Sequence, residues 1–174
     1  MYRSSIQSLM MLVAVASLGT AATPAVGIAT ALGSFTVNNS KVTGSATLSE
    51  GSRIETDTTP SQLQLNEGGR MQLGAESKAI VYRDRVVLER GSGRFENYVV
   101  EAFTLRIQPD GASAEVAVRN CSLAGPATIR VAAFEGPVRI TTSNGVLVSN
   151  LPAGRRFEFV AQDQGCAGIG SPTR

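Results

Sequence analysis

From Ser34 onward, apolar and polar residues alternate in short runs separated by glycine, proline, asparagine and aspartate. Phe103, Leu105 and Ile107 alternate with Thr104, Arg106 and Gln108, and Ala114, Val116 and Val118 alternate on the return. A period of two predicts strands with one buried face. Between them lies Pro109-Asp110-Gly111, where Pro presets one dihedral, Asp bonds back to the backbone and Gly accepts a positive φ. The same logic predicts strands over Lys41–Leu48, Arg53–Thr56, Gln62–Leu65 and Arg70–Leu73. Ala79–Tyr82 and Val86–Leu88 flank the charged turn Arg83-Asp84-Arg85, and Thr128–Phe134 and Val138–Thr142 flank Glu135-Gly136-Pro137. Asn144-Gly145 is a strong hairpin signal, and Phe157, Phe159 and Ala161 finish the pattern. Turn signals return roughly every eight to twelve residues and no amphipathic helix interrupts them, an all-β signature.

Within this pattern one frame repeats. Leu48-Ser49-Glu50-Gly51-Ser52-Arg53-Ile54, Leu65-Asn66-Glu67-Gly68-Gly69-Arg70-Met71 and Leu151-Pro152-Ala153-Gly154-Arg155-Arg156-Phe157 all read Leu-x-x-Gly-x-Arg-apolar. Looser copies are Leu88-Glu89-Arg90-Gly91 and Phe134-Glu135-Gly136. Each reads as strand, glycine corner, strand, with Gly51, Gly68, Gly91, Gly136 and Gly154 as structural corners, since glycine takes backbone angles other residues avoid. Equal polarity of the copies predicts stacked, twisted hairpins of β-solenoid type, with Leu48, Leu65 and Leu151 in one interior. A β-sandwich of similar hairpins is the alternative.

The N-terminus reads differently. Met1-Tyr2-Arg3 is basic, no further charge appears until Lys41, and Leu9–Leu18 is a short apolar run followed by small residues. This predicts a helical signal peptide within residues 1–25, cleaved after Ala22 or Ala25. The rival is an uncleaved anchor, because Leu9–Leu32 is long enough to span a bilayer. Residues 26–40 then read as linker and first strand, 41–160 as the β domain and 161–174 as a tail. The main part of the chain is expected outside the cytoplasm, periplasmic or secreted, or held at the inner membrane facing the periplasm. Cys121 and Cys166, an even count in an oxidising compartment, are expected to form a disulfide. The loop they close, about 45 residues, corresponds to roughly 4 kcal/mol on the chain-entropy account.

Composition removes several kinds of chemistry. Histidine and tryptophan are absent, which excludes His-dependent triads and imidazole metal sites. The net charge is +2 and 14 of the 16 basic residues are arginines; they sit singly, without the basic stripe that nucleic acid needs. No Ser-x-x-Lys occurs, and Glu55-x-Asp57 is a poor start for a calcium loop. Glu50 and Glu67 share one slot of the repeat, so stacking would bring two carboxylates together for acid/base work; solvated turn positions are the plainer reading. No catalytic residue, cofactor or metal is expected.

Gly51-x-x-Ile54-x-Thr56, Leu63-x-Leu65-x-x-Gly68-x-x-Met71-x-Leu73, Val86-x-Leu88-x-x-Gly91, Phe134-x-Gly136-x-Val138 and Leu151-x-x-Gly154 resemble the FecR-type periplasmic domain. That family is named for the iron-dicitrate sensor of Gram-negative bacteria. The resemblance covers roughly Lys41 to Phe159 and implies a twisted, solenoid-like β domain. In the best understood members this domain follows a cytoplasmic sigma-binding domain and one membrane span. Few residues precede the apolar segment here, so a stand-alone form lacking the anti-sigma domain is expected. The function expected is non-catalytic: envelope sensing, or binding of an envelope protein or a cell-wall or polysaccharide component. The alternatives are a carbohydrate-active enzyme on a β-solenoid and a self-assembling surface protein.

Overall fold

The computed structural model describes residues 24–120 and 126–161. They are all-β, without a helix. The strands are β1 (Ala25–Val37), β2 (Ser40–Ser49), β3 (Ser52–Thr56), β4 (Ser61–Leu65), β5 (Arg70–Leu73), β6 (Lys78–Val81) and β7 (Arg85–Glu96). After them come β8 (Val99–Ala102), β9 (Leu105–Pro109), β10 (Ser113–Arg119), β11 (Ala127–Glu135), β12 (Val138–Thr142), β13 (Leu147–Leu151) and β14 (Arg156–Ala161).

Two long strands organise the rest, because each bends and serves two half-sheets. The N-terminal part of β1 pairs with β4 and its C-terminal part with β3. The N-terminal part of β7 pairs with β6 and β8, and its C-terminal part with β5 and β10. The first half-sheet runs β1–β4–β5–β7–β10–β11–β14, and the second runs β1–β3–β6–β7–β8–β9–β12–β13. The pairings β1–β3–β6–β7–β5–β4–β1 close a ring, and with both bent strands counted on each side it is an eight-strand closed barrel. The edge strand β2 pairs with β1 along both of its parts.

Alternation along each strand sends one set of side chains inward. Leu48, Leu65 and Leu151 of the repeated frame are 0%, 4% and 5% exposed and join Phe35, Ile54, Leu73, Leu88, Phe95, Ile107, Ile129 and Ile140 in a single cluster. Full burial of each such side chain contributes about 1.5–3 kcal/mol.

Strand β7 can turn from one half-sheet to the other because of Gly91. Its φ is +87°, and a Cβ there would lie 2.3 Å from Ser77 Oγ and 2.5 Å from Ser77 Cα. The serine occupies that space to hold the bend: its hydroxyl donates to Ser92 O at 2.9 Å and accepts from Ser92 N at 2.9 Å. A register shift between Leu88 and Arg90, opposite Ala79 and Lys78, adds the local twist of a bulge.

Several expectations are corrected here. The repeats do not stack as a solenoid. Among the described residues thirteen of the fourteen strand pairings are antiparallel and only β7–β8 is parallel, whereas equivalent strands of like-oriented coils would pair in parallel. The corner glycines do have positive φ, at +75° (Gly51), +83° (Gly68), +87° (Gly91), +69° (Gly136) and +74° (Gly154), but they do three jobs. Gly51, Gly136 and Gly154 lie where the chain crosses between half-sheets, Gly68 lies in the β4–β5 hairpin, and Gly91 lies inside β7. Of the Leu9–Leu32 span weighed as a helical anchor, the part from Ala25 belongs to strand β1, which pairs with β2 and β4, and residues 9–23 lie outside the described residues. Phe103 is not a strand residue; it has φ +50° in the β8–β9 turn. The expected signal helix, except its last residues, and both cysteines lie outside the described residues. Ala127 and Ala161, which pair directly, flank the two segments that carry Cys121 and Cys166.

Candidate binding face

Glu50 and Glu67 both sit at the end of the barrel where the chain turns after β2 and β4. No hydrogen bond joins the two carboxylates directly, and each has its own surroundings. Glu50 Oε2 accepts from the backbone N–H of Arg83 at 3.0 Å, and Glu67 is exposed in the β4–β5 turn. What they share is Tyr98. This ring is 6% exposed, lies against Gly69, and its hydroxyl donates to Tyr82 O. Burial pushes the Tyr98 hydroxyl well above its ordinary ionisation range, and the negative charges of Asp84, Glu50 and Glu67 push it the same way. A tyrosine so held is a clamp between the β6–β7 turn and the start of β8, with its proton retained.

Glu55 is engaged by Lys78 at 2.6 Å and Arg90 at 3.9 Å; the hydrogen bond from Lys78 holds its carboxyl below the usual value. Among the described residues no three acidic or thiol groups converge on a metal-sized space.

The two half-sheets differ in what they present to solvent. The outer face of the second is laced by ion pairs. Arg53–Glu89, Lys78–Glu55, Lys78–Glu89 and Arg90–Glu55 form one network, and Asp84–Arg85–Glu101–Arg106 another. Seven of the eight ion pairs among the described residues lie on that side, while Arg139 on β12 faces only Asn150 and Gln108.

The outer face of the first half-sheet is built otherwise. Cross-strand register aligns Thr30, Gln62, Gln72, Arg94, Glu115, Ala132 and Arg156 in one row. Ile28, Gln64, Arg70 and Glu96 form a second, parallel row. Its single ion pair is Arg130–Glu158, 3.2 Å. Arg70 faces Glu96 and Arg94 faces Glu115 in register, yet neither pair closes to ion-pair distance. Arg94 instead donates to Ser113 Oγ at 3.2 Å and lies 5.0 Å over the Phe134 ring, a weak cation–π contact. A depression of about 750 Å³ follows the two rows, lined by Gln62, Gln64, Arg70, Gln72, Arg94 and Glu96 among others.

Glutamine amides both donate and accept, and each guanidinium offers five donors with planar reach. Spread over adjacent strands, these groups can grip an extended chain bearing hydroxyls and carboxylates. Gly51, Gly68, Gly136 and Gly154 lie in the connections between strands, and Gly91 bends β7; none of them lines the depression. Sequence reasoning missed the surface, although Ser61-Gln62-Leu63-Gln64-Leu65 and Arg70-Met71-Gln72-Leu73 carry its signal: polar, long side chains at every outward position of neighbouring strands. No protein-family model matches the chain, and no curated protein matches it either.

Proposed function

We propose that the protein is an exported, non-catalytic interaction module of the cell envelope, and that the outer face of its first half-sheet takes an extended acid-bearing glycan. The observation that carries this reading is the contrast between two faces of one barrel: one gathers seven ion pairs, the other lines a depression with three glutamines, Arg70 and Arg94, whose only acidic neighbour there is Glu96, outside ion-pair distance of either. The FecR resemblance, the envelope location and a Cys121–Cys166 disulfide belong to the same reading. β1 begins at Ala25, so a leader cut after Ala22 leaves the barrel whole.

The test is binding of the full chain to a polyuronate, a neutral glucan and an acidic polypeptide. The polyuronate is expected to bind, with affinity falling as salt rises. Charge-assisted hydrogen bonds contribute about 1.5–3 kcal/mol each, so Arg70→Gln with Arg94→Gln should weaken binding at least about tenfold. Glu50→Gln with Glu67→Gln should leave binding unchanged, and the glycan should be recovered uncut. Binding of the polypeptide alone moves the reading to a protein partner; cleavage that the glutamate variants abolish moves it to a carbohydrate-active enzyme.

A further inference from the structure

Three strands have an edge without a strand partner among the described residues: β2, β13 and β14. Natural sheets blunt such edges with charge, bends or bulges. β2 carries Lys41 and a positive-φ Gly44, and β14 carries Arg156 and Glu158. The β13 edge has neither charge nor proline. Its sequence from 146 to 151 is Val-Leu-Val-Ser-Asn-Leu, and Val146, Leu147 and Val148 are 62%, 61% and 40% exposed. They form the one run of consecutive exposed large apolar residues in the described part of the chain.

We propose that β13 is a homotypic docking edge, pairing antiparallel with β13 of a second copy about a two-fold axis. Charge selects that occupant. An edge without charge offers nothing to recognise a charged partner strand, and it sets no like charge against itself when two copies meet. The nearest flanking cation is Arg139 on β12, opposite Asn150. In the paired state the two Arg139 residues stand three strand spacings apart, about 14 Å, beyond the screening length of roughly 8 Å at physiological salt. The other two edges carry charge, so pairing closes at a dimer and does not run on into a fibre. A register shift at Val148 leaves only a short regular stretch to pair. The contact is therefore small, at the weak and transient end of interface sizes.

Sedimentation equilibrium of the full chain tests this. Monomer is expected at low micromolar concentration, with reversible dimer at the highest concentrations and no larger species. Leu147→Lys should abolish the dimer, and Leu147→Ser should weaken it at least several-fold; neither should alter thermal unfolding, because the side chain is exposed. Val160→Lys, on the β14 edge, should leave dimerisation unchanged. A chain that stays monomeric throughout, a dimer indifferent to Leu147→Lys, a dimer broken by Val160→Lys, or oligomers that keep growing would each overturn the proposal.

Discussion

Tyr98 and Gly91 show how much single positions decide in this barrel. The Tyr98 hydroxyl bonds to Tyr82 O and is held protonated by burial and by nearby carboxylates. Tyr98→Phe removes one hydrogen bond and is expected to lower stability by about 1 kcal/mol at neutral pH. The sign of the pH effect follows from the upward shift. In the unfolded chain the hydroxyl ionises near its ordinary value, about 10, while the folded chain keeps its proton. The contribution of Tyr98 is therefore whole below that value and declines as pH rises above it. Denaturant melts from pH 8 to 11.5 should show the wild-type advantage shrinking at the alkaline end, with the Phe variant flatter; parallel curves would show that Tyr98 is not the group responsible. At Gly91 the difficulty is steric as well as torsional. A positive φ disfavours a side chain by about 1–2 kcal/mol, and the Ser77 backbone leaves no room for Cβ, adding about 1–3 kcal/mol of overpacking. Gly91→Ala should thus lower the unfolding free energy by roughly 3 kcal/mol, while Gly51→Ala, with open space around the added carbon, should lose only the torsional part. Chemical melts of the two variants check this, and equal losses would mean that Ser77 yields.

At the scale of elements, local chemistry was legible and partner choice was not. Strands such as β9 and β10 follow from strict alternation around Pro109-Asp110-Gly111, and burial of the leucines in the repeated frame follows from the same period. The frame holds no information on hydrogen bonding, however. One copy is a hairpin turn, β4–β5, and the other two are crossings between half-sheets, so like polarity arises without stacking. β1 was obscured for a different reason: its Ala-Val-Gly-Ile-Ala-Thr-Ala stretch has the composition of a leader, and only pairing with β2, β3 and β4 makes it a strand. β8 follows Tyr98 without a glycine or proline to announce it, and Phe103 holds a left-handed turn that its side chain disfavours, packed against the core. The binding face was written in the sequence as alternate glutamines, but its meaning depends on register between strands that are far apart along the chain.

For the whole molecule, closure sets the order in which parts can open. β7 is bonded on both sides in both half-sheets, to β5, β6, β8 and β10, and it is a member of the ring. Freeing it means breaking four pairings and exposing Val86, Leu88 and Phe95, all at most 1% exposed. β13 gives up one pairing, with β12, and of its own residues only Leu151 is a buried apolar side chain. Local opening free energies therefore rise from the edges towards the ring. Amide hydrogen exchange should be slowest in Val86–Leu88 and Gly93–Phe95, approaching global unfolding, and fastest in β2, β13 and β14. A column of independently stable repeats would place its most protected strands at the middle of the stack and give neighbouring repeats similar values. If β7 exchanged as quickly as β13, ring closure could not be what holds the two half-sheets together.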